Sequence, residues 1–200
     1  MKGRTMNVNE RIFHAGLGTP LGSLGLWATD AGLRAVTWEH DPRSLSGLGL
    51  TGDSIESDDV EAHPLLSKTA AQLRDYFSGK RRDFDLPLDL RGTEFQLAVW
   101  RALTHIAFGG TRSYLDLARS LRRPTASRAV GGAVGANPVG IIVPCHRVVG
   151  ASGRLTGFAG GLEAKRFLLA LEGVPLRGDR LARSRRDPAG ANLAAPCSGG

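Results

Sequence analysis

Between Thr125 and Ala136 the chain carries Ala126, Ala129, Gly131, Gly132, Ala133, Gly135 and Ala136 on a segment whose spacing predicts a helix. Each glycine inside a helix costs about 1 kcal/mol relative to alanine. A segment that keeps several is shaped for something that comes very close to its backbone. Two partners fit, a second helix packed tightly or a nucleic-acid groove. Arg128 is the long cation in this smooth stretch, and an arginine there suits entry into a minor groove or base stack. That favours DNA.

The neighbouring segments place this helix in a small bundle. Thr93-Glu94-Phe95-Gln96 fits a capping box, in which the Thr and Gln side chains satisfy orphan N–H groups. Phe95, Val99, Ala102, Leu103 and Ile106 follow at helical spacing, and Gly109-Gly110 predicts the stop. Ser113 to Leu121 reads as a second helix and Arg122-Arg123-Pro124 as a turn. The pair across this turn has the outline of a helix-turn-helix, an outline shared by many helix pairs that bind nothing.

Upstream, Leu24–Ala28 and Leu33–Trp38 read as strands flanking a turn at Thr29-Asp30-Ala31-Gly32. Residues 41–62 lack periodicity and read as a loop. His63 to Phe77 is helical in pattern, with Leu65, Leu66, Thr69, Leu73 and Phe77 on one face, and Arg91-Gly92 marks a boundary. Downstream, Val139–Val143 is a strand-like apolar run, Gly150–Gly161 a glycine-rich loop, and Leu162–Leu171 a helix. From Arg177 the composition is that of a disordered tail, within which Cys197 is incidental.

The chemistry concentrates in Ile142-Val143-Pro144-Cys145-His146-Arg147-Val148-Val149. A thiolate is the reactive form of cysteine, favoured by nearby cations and hydrogen bonds. A cysteine beside a base is the minimal activated nucleophile. An isolated Cys-His pair is more often a buried cysteine that happens to lie near a histidine; the whole string is far more specific.

Composition narrows the alternatives. Residues 1–92 hold 11 Lys/Arg against 13 Asp/Glu, residues 93–176 hold 10 against 4, and residues 177–200 hold 5 against 2. The basic second half points to an anionic partner, although a solubilising surface explains the charge about as well. Two cysteines build no disulfide framework, and no Cys/His cluster has zinc spacing. No apolar run approaches the roughly 20 residues of a membrane span. The N-terminus has no apolar segment of the secretory kind. A cytoplasmic protein, nucleoid-associated if prokaryotic, is the expectation.

Taken together, Phe95–Trp100, Thr111–Tyr114, Arg128–Gly131, Asn137-Pro138, Ile142–Val148, Leu155–Gly161 and Leu171–Gly173 resemble the O6-alkylguanine-DNA alkyltransferase family. The strings run in family order and cover residues 93–173 closely. The N-terminal part resembles it only loosely, through Thr19–Gly22 and Leu33–Trp38. The resemblance implies an α+β fold. A small ribonuclease-H-like α/β domain would occupy residues 1–92, a mostly helical catalytic domain with the helix-turn-helix residues 93–176, and a basic tail residues 177–200.

It also implies irreversible transfer of an alkyl group from O6-alkylguanine in duplex DNA to Cys145, with O4-alkylthymine a second candidate substrate. The protein would act once, as a monomer, without cofactor or metal, and off the membrane. By resemblance, His146 oriented by Glu172 takes the thiol proton through a water, and Asn137 holds the active-site turns together. Tyr114 and the Ala159 N–H neutralise the leaving guanine. The carbonyls of Cys145 and Val148 read its edge, while Phe158, Gly160 and Lys165 complete the pocket. The helix bearing Thr125, Ala126, Ala129, Gly131 and Gly132 lies in the minor groove, Arg128 fills the gap of a flipped nucleotide, and Arg147 adds a DNA contact. Flipping is chemically sensible because the alkyl group cannot meet a protein nucleophile inside the stack.

The chain departs from the pattern at Phe158, where Tyr is common, and at Ala159, where Ser is frequent; it also lacks the cysteines of a zinc site found in some members. A non-enzymatic lesion-binding relative would lack Cys145. A cysteine hydrolase or redox protein would need an acyl intermediate or a resolving cysteine, and Cys197 is a poor resolver.

Overall fold

The computed structural model describes residues 11–38, 54–56 and 60–182. The chain divides into two compact units, Met1–Leu90 and Arg91–Gly200.

The first unit is a four-stranded sheet of order β3-β2-β1-β4, from β1 (Ile12–Thr19), β2 (Gly22–Thr29), β3 (Gly32–Trp38) and β4 (Ser54–Glu56). β1, β2 and β3 are antiparallel neighbours, whereas β4 runs parallel to β1. A helix, α1 (Pro64–Phe77), lies against β1, β2 and β3. It buries Leu66, Ala70, Leu73 and Tyr76, while Leu24, Leu26 and Leu17 of the sheet are also buried. Gly32 is needed where it stands. Its φ is +152°, and a Cβ there would sit 2.8 Å from the Pro87 carbonyl oxygen. The Leu33 N–H donates to that same oxygen.

Three expectations are corrected in this unit. β1 was not foreseen, because Gly16 and Gly18 dilute its strand signal. Within the span read as a loop, Ser54–Glu56 is a strand and Val60–Ala62 a 3-10 turn; segments of three residues are too short to show a period. Leu65 and Phe77 are only half-buried, and Gln72 and Tyr76 take inward positions instead. The rest of residues 41–62 lies outside the described residues.

The second unit contains α2 (Glu94–Thr104), β5 (Arg112–Ser113), α3 (Tyr114–Ser120), α4 (Ser127–Gly135), β6 (Val148–Val149) and α5 (Gly161–Leu171). α2 starts with the capping box read from the sequence. The Gln96 N–H donates to Thr93 Oγ1 at 3.2 Å, and the Thr93 N–H donates to Gln96 Oε1 at 2.9 Å. The helix ends at Thr104, short of Gly109-Gly110, because His105 and Ile106 donate to carbonyls three residues back. Ile106 remains buried, which carried the apolar period past the helix end. Ser113 and Asp116 form a second capping box at α3.

The turn between α3 and α4 is closed by Arg123 N–H to Ala118 O and Arg122 N–H to Arg119 O, the bond pair of a Schellman motif. Arg122 occupies the position that favours glycine, with φ +58°. The Trp100 indole N–H then donates to Ala133 O at 2.8 Å and ties α2 to α4.

Val139–Val143 is not a strand but a series of tight turns in which Ile141 has φ +70°. A β-branched residue there is a true outlier. Leu155 N–H donates to Asp179 O, Leu181 N–H to Gly153 O and Ala182 N–H to Pro175 O. Leu176 and Leu181 pack on Val149, Leu155, Leu169 and Val174. Residues 177–182, read from sequence as tail, therefore belong to the folded unit; residues 183–200, with Cys197, lie outside the described residues.

Arg122→Gly removes left-handed strain and should raise stability by about 0.5–1 kcal/mol. Urea unfolding at neutral pH checks this; an unchanged or lower stability would mean that the arginine side chain compensates.

Candidate active site

Asn137 organises the turns that lead to the cysteine. Its Nδ2 donates to Val143 O at 2.8 Å, and its Oδ1 accepts the Val139 N–H at 3.2 Å. One side chain thus clasps both ends of the strained segment holding Ile141. Cys145 follows Pro144 and opens a 3-10 turn, Cys145–Arg147. The chain then enters β6, which pairs in parallel with β5, Arg112 opposite Val148 and Ser113 opposite Val149. This short pairing brings the start of α3, and with it Tyr114, alongside the cysteine turn.

Cys145 is buried. Burial raises its thiol pKa, opposed by the Asn137 side chain, the Lys165 charge and local backbone N–H groups. The resting group is a thiol that needs a base.

That base is next in sequence. His146 is fully buried, and its Nε2 lies 2.8 Å from Glu172 Oε1. Burial lowers the imidazole pKa below 6.5, and the Arg147 and Lys165 charges add to this, against the pull of Glu172. His146 is therefore neutral at pH 7. Burial by itself would raise the Glu172 pKa, but hydrogen bonds and charge from His146 and Arg147 bring it down to about 2. An ionised carboxylate only accepts, so the neutral imidazole must carry its proton on Nε2. Nδ1 is then the basic nitrogen, and it is buried with no hydrogen-bond partner among the described residues.

Lys165 is fully buried on α5. Its Nζ donates to Val148 O at 2.6 Å and Thr156 O at 2.7 Å, and burial depresses its pKa to about 8. The ammonium joins the cysteine turn to the glycine-rich loop. The Val148 carbonyl thus already accepts one bond, and the Cys145 carbonyl accepts the Val148 N–H; each retains a second lone pair. Thr156, which the sequence reading passed over, donates through Oγ1 to the Tyr114 hydroxyl at 3.3 Å. Tyr114's own proton is left for another acceptor.

On the loop, Phe158 is half-buried with its ring centroid 6.4 Å from that of His146. Ala159 is exposed, and its N–H meets no protein acceptor among the described residues. Gly160 caps α5.

On α4 the two faces differ. Val130, Ala133 and Val134 are buried, whereas Arg128, Ala129 and Gly132 are exposed, as is Thr125 at the entry. Ala126 is half-buried at the N-cap, and Gly131 packs on the Tyr114 ring. A Cβ on Gly132 or Gly135 would meet nothing within 4 Å. Among the described residues, no other helix therefore fills the smooth face.

Arg147 is a correction. It was expected on the DNA, but its side chain is 7% exposed and locked onto Glu172. The charge pattern could not reveal this, because the partner lies 25 residues away.

Glu172→Gln should cost about 3 kcal/mol or more at pH 7, because Arg147 is left buried without its counter-charge. A carboxylate whose pKa falls from 4.5 to about 2 on folding stabilises the protein above pH 4.5, and this contribution fades as pH drops toward 2. Denaturation at a series of pH values should show the wild-type advantage shrinking below pH 4.5; a pH-independent gap would contradict the ionised state.

Residues 12–90 match the family model described as the 6-O-methylguanine DNA methyltransferase ribonuclease-like domain, and residues 94–174 match that protein's DNA binding domain. The methylated-DNA–protein-cysteine methyltransferase of Methanosarcina acetivorans is 41% identical over 162 residues, covering 81% of this chain and 99% of that one. The inducible enzyme of that name from Bacillus subtilis is 52% identical over 113 residues, covering 56% and 63%. A crystal structure of Mycobacterium tuberculosis OGT in complex with DNA superposes with TM-score 0.71 at 41% identity, covering 80% of this chain and 92% of that one. Among the described residues no helix is long and apolar enough to cross a membrane, and no group of three or more His, Cys, Asp or Glu residues could hold a metal. With both units matched in order and the Cys145, His146 and Glu172 side chains gathered in the second, the chain belongs to the methylated-DNA–protein-cysteine methyltransferase family.

Proposed function

We propose that this protein repairs O6-alkylguanine in duplex DNA by moving the alkyl group onto its own Cys145 in a single irreversible turnover. The observation that carries the reading is the buried thiol followed by a neutral imidazole whose basic Nδ1 has no hydrogen-bond partner among the described residues and whose Nε2–H is held by Glu172.

The thiol proton passes through a bridging water to His146 Nδ1. The sulfur attacks the alkyl carbon, the S–C bond forms, and the C–O6 bond breaks. The electron pair stays on guanine, whose charge is met by the Tyr114 O–H proton and the Ala159 N–H. Thr156 supports this role for Tyr114 by donating to its oxygen. Phe158 supplies an apolar wall, Gly160 allows the loop to approach the base, and Lys165 fixes both sides of the pocket. Asn137 keeps the turn in its strained path and favours the thiolate. The thioether product does not hydrolyse, so each molecule acts once. The alternative of lesion binding without chemistry is disfavoured by Cys145 itself.

The exposed face of α4, with Ala129 and Gly132, enters the minor groove together with Thr125 at the helix entry, Ala126 at its N-cap and Gly131 beside Tyr114. Arg128 takes the place of the flipped nucleotide, and its exposure without a partner among the described residues supports this. The protein works as a monomer on cytoplasmic DNA.

Cys145→Ala should abolish transfer while duplex affinity stays within a few-fold of wild type; equal loss of both would contradict the assigned role. Arg128→Ala should slow repair in duplex DNA far more than reaction with free O6-benzylguanine, since only duplex repair requires flipping. Equal losses on the two substrates would overturn it. On the acid side of neutrality, the rate with free O6-benzylguanine should hold steady from pH 7 to below pH 6.5 and fall only as His146 protonates; a decline already at pH 7 would contradict the neutral, depressed imidazole.

A further inference from the structure

Arg147 is buried and bonded through three of its nitrogens, and the transfer steps above do not use it. Its Nε donates to both Glu172 oxygens, at 2.9 Å and 3.2 Å, and its Nη2 donates to Oε1 at 2.9 Å. Its Nη1 donates to Ile106 O at 2.5 Å, anchoring the guanidinium to the chain beyond α2. The Gly109 N–H reaches Glu172 Oε2 at 3.1 Å. The Phe108 ring centroid lies 5.9 Å from the guanidinium carbon.

We infer that Arg147 is a positioning residue for alkyl transfer, which fixes the Glu172 carboxylate so that it holds His146 in the tautomer with Nδ1 free. The inference rests on the reading of Cys145 as alkyl acceptor. Four N–H groups converge on one carboxylate: His146 Nε2, Arg147 Nε, Arg147 Nη2 and Gly109 N. A carboxylate has about four lone-pair directions, so this one has no orientation to spare. A planar fork on a planar carboxylate sets its rotation, which a lysine ammonium cannot do. The charged groups facing His146 are Glu172 at the end of α5, Lys165 within α5, and Arg147 on its own turn. Because Arg147 neutralises Glu172, the imidazole sees an oriented acceptor rather than a bare negative charge. A bare carboxylate would favour the imidazolium, which has no lone pair for the thiol proton.

The test is Arg147→Lys, which keeps the charge and removes the fork. Two quantities are read: the rate of reaction with free O6-benzylguanine, and the His146 tautomer from imidazole nitrogen NMR. The lysine variant should react about tenfold or more slowly at the pH plateau, and its imidazole should become a mixture of tautomers. A wild-type rate overturns the inference. So does a slow variant that keeps the single Nε2–H tautomer, since the loss would then come by another route. If the variant does not fold, the wild-type spectrum decides. A persistent Nε2–H form with a protected Arg147 Nε–H is required, and an Nδ1–H form or a freely exchanging guanidinium refutes it. If the wild-type protein fails to react at all, the transfer reading falls, while the tautomer measurement still judges Arg147.

Discussion

The Glu172 carboxylate is the interaction on which the site depends. It sits at the end of α5 with its side chain fully buried. An unpaired charge in such a place would be prohibitively costly. Here it is met by Arg147, His146 and the Gly109 N–H. These contacts tie together three parts of the second unit: the segment after α2, the cysteine turn and the last helix. Removing the carboxylate would release all three at once. The same contacts that settle its charge also decide which imidazole nitrogen is basic, so stability and chemistry are set by one group.

Around that centre the backbone is held under strain. Ile141 has a positive φ just before the cysteine, and Asn137 keeps it there through Val139 and Val143. Lys165 does similar work on the other side, bridging Val148 and Thr156. The cysteine is thus fixed between two polar clasps, both buried or half-buried, where burial alone would be hostile to a thiolate. The exposed face of α4 differs in character. Among the described residues it holds no such clasp, and Gly132 and Gly135 have open space before them, as suits a surface that meets a partner's backbone.

Much of this was legible in the sequence, and the failures have physical causes. The capping box at Thr93, the turn at Asp30-Ala31 and the small-residue helix are local features, and local chemistry foretold them. The string from Pro144 to Val148 singles out Cys145 as the candidate nucleophile. What escaped were relations between distant residues. Arg147 is expected on the DNA from sequence, because nothing nearby in the chain reveals Glu172 as its partner. Val139–Val143 read as a strand because apolar, β-branched residues suit strands, whereas Asn137 overrides that preference with two hydrogen bonds. Thr156 lies inside the Leu155–Gly161 string yet takes no role from it, since a threonine in a glycine-rich loop is unremarkable until its neighbours are known. β1 was hidden by its glycines, and the short strand Ser54–Glu56 by its length.

The most direct test of the central claim is the intact mass of the wild-type protein after incubation with a duplex carrying one O6-methylguanine, followed by peptide mapping. The account predicts a gain of one methyl group per protein molecule, located on Cys145, and no second turnover with fresh duplex. An unchanged mass despite tight binding to the lesion, or a methyl group on any other residue, would contradict it.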